Sequence, residues 1–163
     1  MVHALHREQF IPAPLDEIWA YFATPQNLNT LTPPAMHFTI EGDPGPMFAG
    51  QLIAYRIRLG PGVRVRWLTE IRHVAPGRFF VDEQRMGPYR LWYHEHHYEA
   101  VGGGVRMTDH VSYALPFGPL GDLVHAVWVR RTLQQIFDYR RTAVERLWPA
   151  SSGSTVSGEA AGL

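Results

Sequence analysis

The 163-residue chain has no cysteine, which excludes a disulfide framework, a thiol nucleophile and any cysteine-ligated metal. It has no excess of charge of either sign, with fifteen basic residues against fifteen acidic ones. No net field would therefore gather nucleic acid or an anionic membrane. No apolar run approaches the roughly 20 residues that cross a bilayer. The first residues lack the basic-then-apolar pattern of a secretory signal. Neither a Gly-x-Ser-x-Gly elbow, nor a phosphate-cradling glycine loop, nor an RNA-binding aromatic motif occurs. These absences lead to the expectation of a cytoplasmic protein without nucleic-acid or integral-membrane partners.

What is present is an ordinary globular composition, 45% apolar and 18% charged, enough for one domain with a full core. Nine histidines make the charge balance sensitive to mild acid. The expected organisation is a single domain over 1–149, followed by a tail over 150–163 whose small, polar composition predicts disorder.

Residues 3–11 alternate as a strand that ends at Pro12. In "PLDEIWAYFA", Pro14 suits a first turn, Asp16 and Glu17 sit beside the positive end of a helix dipole, and Ile18, Trp19 and Phe22 form a stripe. A second short helix follows, with Thr24 as its cap, Pro25 in its first turn, and Leu28 and Leu31 on one face. Pro33-Pro34 stops it. From Met36 to Pro116 the period becomes two, in six runs separated by Gly/Pro-rich breaks at 42–46, 60–62, 76–77, 87–88 and 102–104. Consecutive antiparallel hairpins are the simplest reading, forming a sheet wet on one face and buried on the other. Residues 119–148 return to helical spacing, with Leu120, Leu123, Val124, Val127, Leu133, Ile136, Phe137, Val144 and Leu147 as the apolar stripe. The order predicts an α+β fold, with seven strands, two short helices after the first strand, and a long terminal helix covering one sheet face.

That order, with "FIPAPLDEIWAYFATPQNLNTLTPP", "FVDEQRMGPYRLWYHEHHYE" and "RMTDHVSYALPFGPLG", resembles the START-like, helix-grip superfamily often called SRPBCC, over about residues 3–148. The resemblance implies a curved seven-stranded antiparallel sheet gripping a long C-terminal helix, with a cavity between them. It also implies a branch that binds small ligands or resembles polyketide cyclases/dehydrases. One fold hosts many functions, so the activity has to be argued from the site.

The stretch "LWYHEHHYE" (91–99) concentrates the polar chemistry. Alternate side chains of a strand share a face. Glu95 and Glu99 are expensive to bury unpaired, so their face meets water, and Trp92, His94, His96 and Tyr98 point inward. Hairpin pairing then sets Gln84 opposite Trp92, Asp82 opposite His94, Phe80 opposite His96 and Asp109 opposite His96. Met107, Val111 and Tyr113 fall on the same face. The expected site is Asp82, His94, His96 and Asp109 as the acid–base wall. Phe80, Gln84, Trp92, Tyr98, Met107, Val111, Tyr113, Trp67 and Phe137 surround it as ligand-binding residues.

Several readings remain open. The cluster is a self-satisfied hydrogen-bond network that shapes the wall, or it recognises a ligand or moves protons. A cyclase would need positioned donors and a base, which His94, His96, Tyr113 and Arg140 could supply. Trp67, Trp92 and Trp128 are either core or a stacking surface for a flat ligand. A carboxylate beside imidazole is expected to raise the histidine pKa. A cupin-like metal reading of His94-Glu95-His96 fails on spacing, because Glu99 falls on the opposite face. Two histidines and two aspartates are zinc or iron donors, so a metal-binding module stays open as an alternative, yet their mutual pairing satisfies them, and no metal or other cofactor is expected. The expected partner is a small hydrophobic or aromatic molecule such as a lipid, quinone or polyketide. A protein-interaction module using the same groove is the third class.

Overall fold

Strands β1 (His3–Ile11), β2 (Thr39–Ile40), β3 (Leu52–Gly60), β4 (Val63–Ala75), β5 (Phe79–Met86), β6 (Leu91–Val101) and β7 (Gly104–Ala114) make one antiparallel sheet. Their spatial order is β1-β7-β6-β5-β4-β3-β2, so the first strand crosses the molecule to pair with the last. This computed structural model describes residues 1–60 and 62–150. The tail expected over 150–163 lies, from 151 onward, outside the described residues.

Alternation decides which face is buried. On β6, Trp92, His94, His96 and Tyr98 are buried and their neighbours are more exposed. β7 repeats the pattern with Val105, Met107, Asp109, Val111 and Tyr113. The β3–β4 and β4–β5 ladders shift register between Arg58 and Gly60, between Leu68 and Thr69, and between Ile71 and His73. An unpaired residue in a ladder bends the strand and increases its twist. The residues left unpaired are Leu59 of β3, Arg85 of β5 and Arg72 of β4, so the bends fall on three neighbouring strands.

Helix α1 (Leu15–Phe22) follows Pro14, carries Asp16 and Glu17 in its first turn, and buries Ile18 and Phe22. The second helix expected from the sequence is a short 3₁₀ turn, Pro25–Asn29, followed by a further one at Pro34–Met36. Its predicted cap is not used: the Thr24 hydroxyl donates back to the Ala20 carbonyl at 2.8 Å. A polar five-residue segment opened by proline has too little apolar surface to sustain longer α-helix.

The terminal helix departs further from expectation. It comprises α2 (Gly118–Val124), a wide π-type turn (His125–Val129) and α3 (Arg130–Leu147). A π turn inserts an extra residue and rotates all that follows by about 100° relative to a regular helix. One continuous stripe therefore cannot face the sheet. From the π turn onward Val129, Leu133, Phe137, Arg140 and Val144 are buried, whereas Leu120, Leu123, Val124, Val127 and Trp128 are exposed. Trp128 is thus not core, and Leu147 is exposed as well. No described helix is long and apolar enough to cross a membrane.

The core is double. One apolar cluster joins Ile11, Ile18, Phe22, Tyr98, Met107 and Val144. The other joins Ile57, Trp67, Trp92, Val111, Leu133 and Phe137. On β6 the residues between Trp92 and Tyr98 on the inner face are His94 and His96. On β7 the residue between Met107 and Val111 is Asp109. The polar cluster sits at the seam between two cores.

Candidate functional site

A cavity of about 200 Å³ opens between the sheet, α3 and the turns that follow α1, with Leu31, Ile53, Tyr55, Trp67, Leu133 and Phe137 among its walls. Asp82, His94, His96 and Arg140 supply its charged and imidazole groups. Asp109 lies behind them and is absent from the lining.

The register that brings these groups together agrees with the parity argument. Asp82 pairs with His94 and Phe80 with His96, while His96 pairs with Asp109. His94 Nε2 lies 2.9 Å from Asp109 Oδ1, and His96 Nδ1 approaches the same oxygen at 2.9 Å. On the cavity side, His96 Nε2 lies 2.8 Å from Asp82 Oδ2 and His94 Nδ1 lies 3.5 Å from that oxygen. The two imidazoles lie against each other, tilted by 37° with centroids 3.7 Å apart, each bracketed by one carboxylate in front and one behind. From α3, Arg140 Nη2 reaches to 3.3 Å from His96 Nδ1 and 3.7 Å from Asp109 Oδ1. The shorter approach of His96 Nδ1 to a carboxylate, and the inability of guanidinium to accept, make Nδ1–H the donor to Asp109.

Electrostatics divides the two rings. Burial works to lower the His96 pKa, but Asp109 and Asp82 outweigh it and hold the imidazole above its ordinary value. Burial and the neighbouring His96 hold His94 below its ordinary value, against the pull of the same carboxylates. The expectation of a raised pKa is therefore met at His96 and reversed at His94, since adjacent buried rings resist carrying two charges. Burial would raise Asp109, yet Arg140 and the imidazoles keep it well below the usual carboxylate range. Asp82 is likewise lowered despite burial, chiefly by the bond from His96. With its Nε2–H given to Asp109, His94 presents Nδ1 toward the cavity side.

A family described as "Polyketide cyclase / dehydrase and lipid transport" matches residues 2–147. The chain belongs to this family. Among solved structures, this polyketide cyclase/dehydrase-type domain is similar to Ara h 8.0201, at 20% identity and TM-score 0.60, covering 90% of this chain and 99% of that one. It is similar to protein CV1439 from Chromobacterium violaceum at 11% identity and TM-score 0.69, covering 91% and 99%. A norcoclaurine synthase mutant from Thalictrum, in complex with a transition-state analogue, gives 16% identity, TM-score 0.63 and coverage of 90% and 96%. At these identities the likeness establishes the helix-grip fold. No curated protein matches the chain.

In this family member the predicted site residues other than Asp109 separate into three groups. Asp82, His94, His96, Phe80, Trp92, Trp67 and Phe137 border the cavity. Tyr98, Met107, Val111 and Tyr113 are buried on the expected face but are absent from the cavity lining. They pack in the two cores beneath α1 and α3. Gln84 is the displaced one. The β5–β6 ladder ends at Glu83 and Tyr93, so Gln84 has no partner at Trp92. Its amide instead closes the turn, donating to the Tyr89 carbonyl at 2.7 Å and accepting from the Tyr89 N–H at 3.2 Å.

The wall contributed by β3 was not among the sequence-derived candidates. Ile53, Tyr55 and Ile57 line the cavity, and the same alternation rule applied to "QLIAYRIRL" would have placed them on one face. Arg140 is buried because it falls between Phe137 and Val144 on the inward stripe of α3.

Proposed function

We propose that this domain binds one small hydrophobic or aromatic molecule of lipid, quinone or polyketide type in the cavity between sheet and α3. The observation that carries this reading is a largely apolar, aromatic hollow whose charged and imidazole groups are Asp82, His94, His96 and Arg140. Its volume of about 200 Å³ exceeds the ~150 Å³ of an engineered apolar cavity that takes up benzene. Burying about 300 Å² of apolar ligand surface would contribute roughly 7 kcal/mol before entropic costs. Those charged and imidazole groups would orient a carbonyl or hydroxyl on such a ligand. Trp67 Nε1, buried on the cavity wall without a hydrogen-bond partner among the described residues, supports a ligand acceptor on that side. The open hollow favours a small ligand over a protein-interaction groove. The proposal places the domain, residues 1–149, in the cytoplasm, where a cysteine-free chain needs no oxidising compartment.

One observation favours a second, catalytic reading. His94 keeps Nδ1 free while its Nε2–H is held by Asp109 at 2.9 Å, the arrangement of an oriented general base. A cyclase or dehydratase would use that nitrogen to take a proton from carbon or oxygen of a bound polyketide-like substrate.

Native mass spectrometry of the purified protein, followed by extraction of what co-purifies, tests the binding reading. The expected result is a retained apolar molecule at one per chain. Failure to retain any, together with no saturable uptake of an apolar fluorescent probe, would overturn it.

A further inference from the structure

We propose that Asp82, His94 and His96 form a binding site for a divalent first-row transition-metal ion on the wall of the cavity. One ligand atom from each lies within 4.8 Å of those of the other two, and Asp82 Oδ2 faces both His94 Nδ1 and His96 Nε2. Two of the separations are 2.8 Å, Asp82 to His96, and 3.5 Å, Asp82 to His94. Ligand atoms around one ion at about 2.0–2.2 Å stand about 3 Å apart, so only small side-chain adjustments separate this triangle from a coordination shell.

The groups behind the triangle argue for metal more strongly than the triangle itself. Metal-bound histidines characteristically donate their second ring N–H to a carboxylate, which fixes tautomer and ring orientation. Here one oxygen of Asp109 lies 2.9 Å from His94 Nε2 and 2.9 Å from His96 Nδ1. Both remaining nitrogens, Nδ1 of His94 and Nε2 of His96, are thereby turned toward Asp82, and the ion would displace to solvent the proton that His96 Nε2 gives to Asp82. Arg140 balances the charge of Asp109 from the far side, leaving the Asp82 carboxylate to neutralise the ion. Asp82, His94 and His96 line the cavity whereas Asp109 does not. The free coordination positions would therefore open into the hollow rather than into packed protein. Pairing of histidine with aspartate, which at the level of sequence satisfies these groups and removes the need for metal, becomes in three dimensions the device that aims them.

The donor set selects the class of ion. Two imidazole nitrogens and one carboxylate oxygen suit zinc, iron, cobalt or nickel in the divalent state, and leave magnesium and calcium poorly served. The site does not depend on what molecule the cavity encloses.

Protein treated with a chelator and dialysed is titrated with Co²⁺ alone. The expected result is one equivalent bound per chain with visible d–d absorption, displaced by Zn²⁺. Asp82→Asn should weaken binding at least tenfold, and the double variant His94→Gln/His96→Gln should abolish it. No saturable binding, or binding that survives in the folded double variant, would overturn the site. Should the variants fail to fold, histidine ¹⁵N NMR of the wild-type protein with Zn²⁺ decides. Shifts at Nδ1 of His94 and Nε2 of His96 support the site. Shifts confined to other rings sink it, such as outward-facing His6 and His110 with Nδ1 atoms 3.1 Å apart.

Discussion

Arg140 Nη2 lies 3.7 Å from Asp109 Oδ1, joining α3 to the middle of β7 by a charge pair at the seam between the two cores. Asp109 is 2% exposed, so neither charge is well served by water. Removing one partner of a buried pair leaves the other uncompensated, at a cost of about 3–5 kcal/mol. Asp109→Ala is expected to lower the unfolding free energy by that amount, read as a fall in the urea midpoint with little change in slope. A loss below about 1 kcal/mol would mean the pair is solvated in solution.

Filling the hollow separates ligand binding from folding. Ile53 is buried and lines the cavity. Ile53→Phe sends its added volume into existing space, so stability should change by less than about 1.5 kcal/mol. Affinity for an apolar fluorescent probe should fall at least tenfold. Unchanged affinity in a folded variant would locate the probe elsewhere.

The turn between β5 and β6 hangs on Gln84. A Cβ at Gly87 would lie 2.3 Å from the Gln84 Oε1, so Gly87→Ala expels the amide that bonds both backbone groups of Tyr89. Gln84→Ala and Gly87→Ala should each cost roughly 1–3 kcal/mol. Their effects should not add, because both remove the same two bonds. Additive losses in thermal or urea unfolding would refute the shared cause.

Mild acid acts at the same end of the sheet, where Tyr113 packs against Tyr89. His125 stacks on His3 with centroids 3.5 Å apart, and its Nε2 lies 2.8 Å from the Tyr113 hydroxyl. Arg130 and Asp122 are the remaining charges that act on it. Partial burial, His3 and Arg130 together hold its pKa below the ordinary value despite Asp122. The unfolded chain therefore binds this proton first as pH falls. The contribution of a neutral His125 is complete above the ordinary histidine pKa of about 6.5. It is lost progressively as pH drops below that value toward the folded pKa. Urea midpoints measured from pH 7 to 5 should fall less steeply in His125→Gln than in the wild type. Identical slopes would show that His125 does not report on folding.

Much of this protein follows from local chemistry. Period-two alternation and Gly/Pro punctuation place the strands, and the cost of burying Glu95 and Glu99 turns His94 and His96 inward. Short hairpins then leave little freedom in register, so Asp82 and Asp109 meet the imidazoles as expected. Other features are not local. Gln84 left the wall because the β5–β6 ladder ended one pair early, beside the bulge at Arg85 of β5. At the π turn of His125–Val129 the terminal helix passes from the exposed Leu120, Leu123 and Val127 to the buried stripe of α3, although the apolar residues by themselves read as one stripe.

The sequence by itself determined the order of elements and which residues share a face, because side-chain direction along a strand depends only on parity. Only the tertiary structure decided that Asp109 stands behind the imidazoles while Asp82 stands before them, and that Tyr98, Met107, Val111 and Tyr113 pack solidly while Ile53, Tyr55 and Ile57 border a hollow. Depth within a face depends on how far a curved sheet and a rotated helix stand apart, a distance set by every side chain between them.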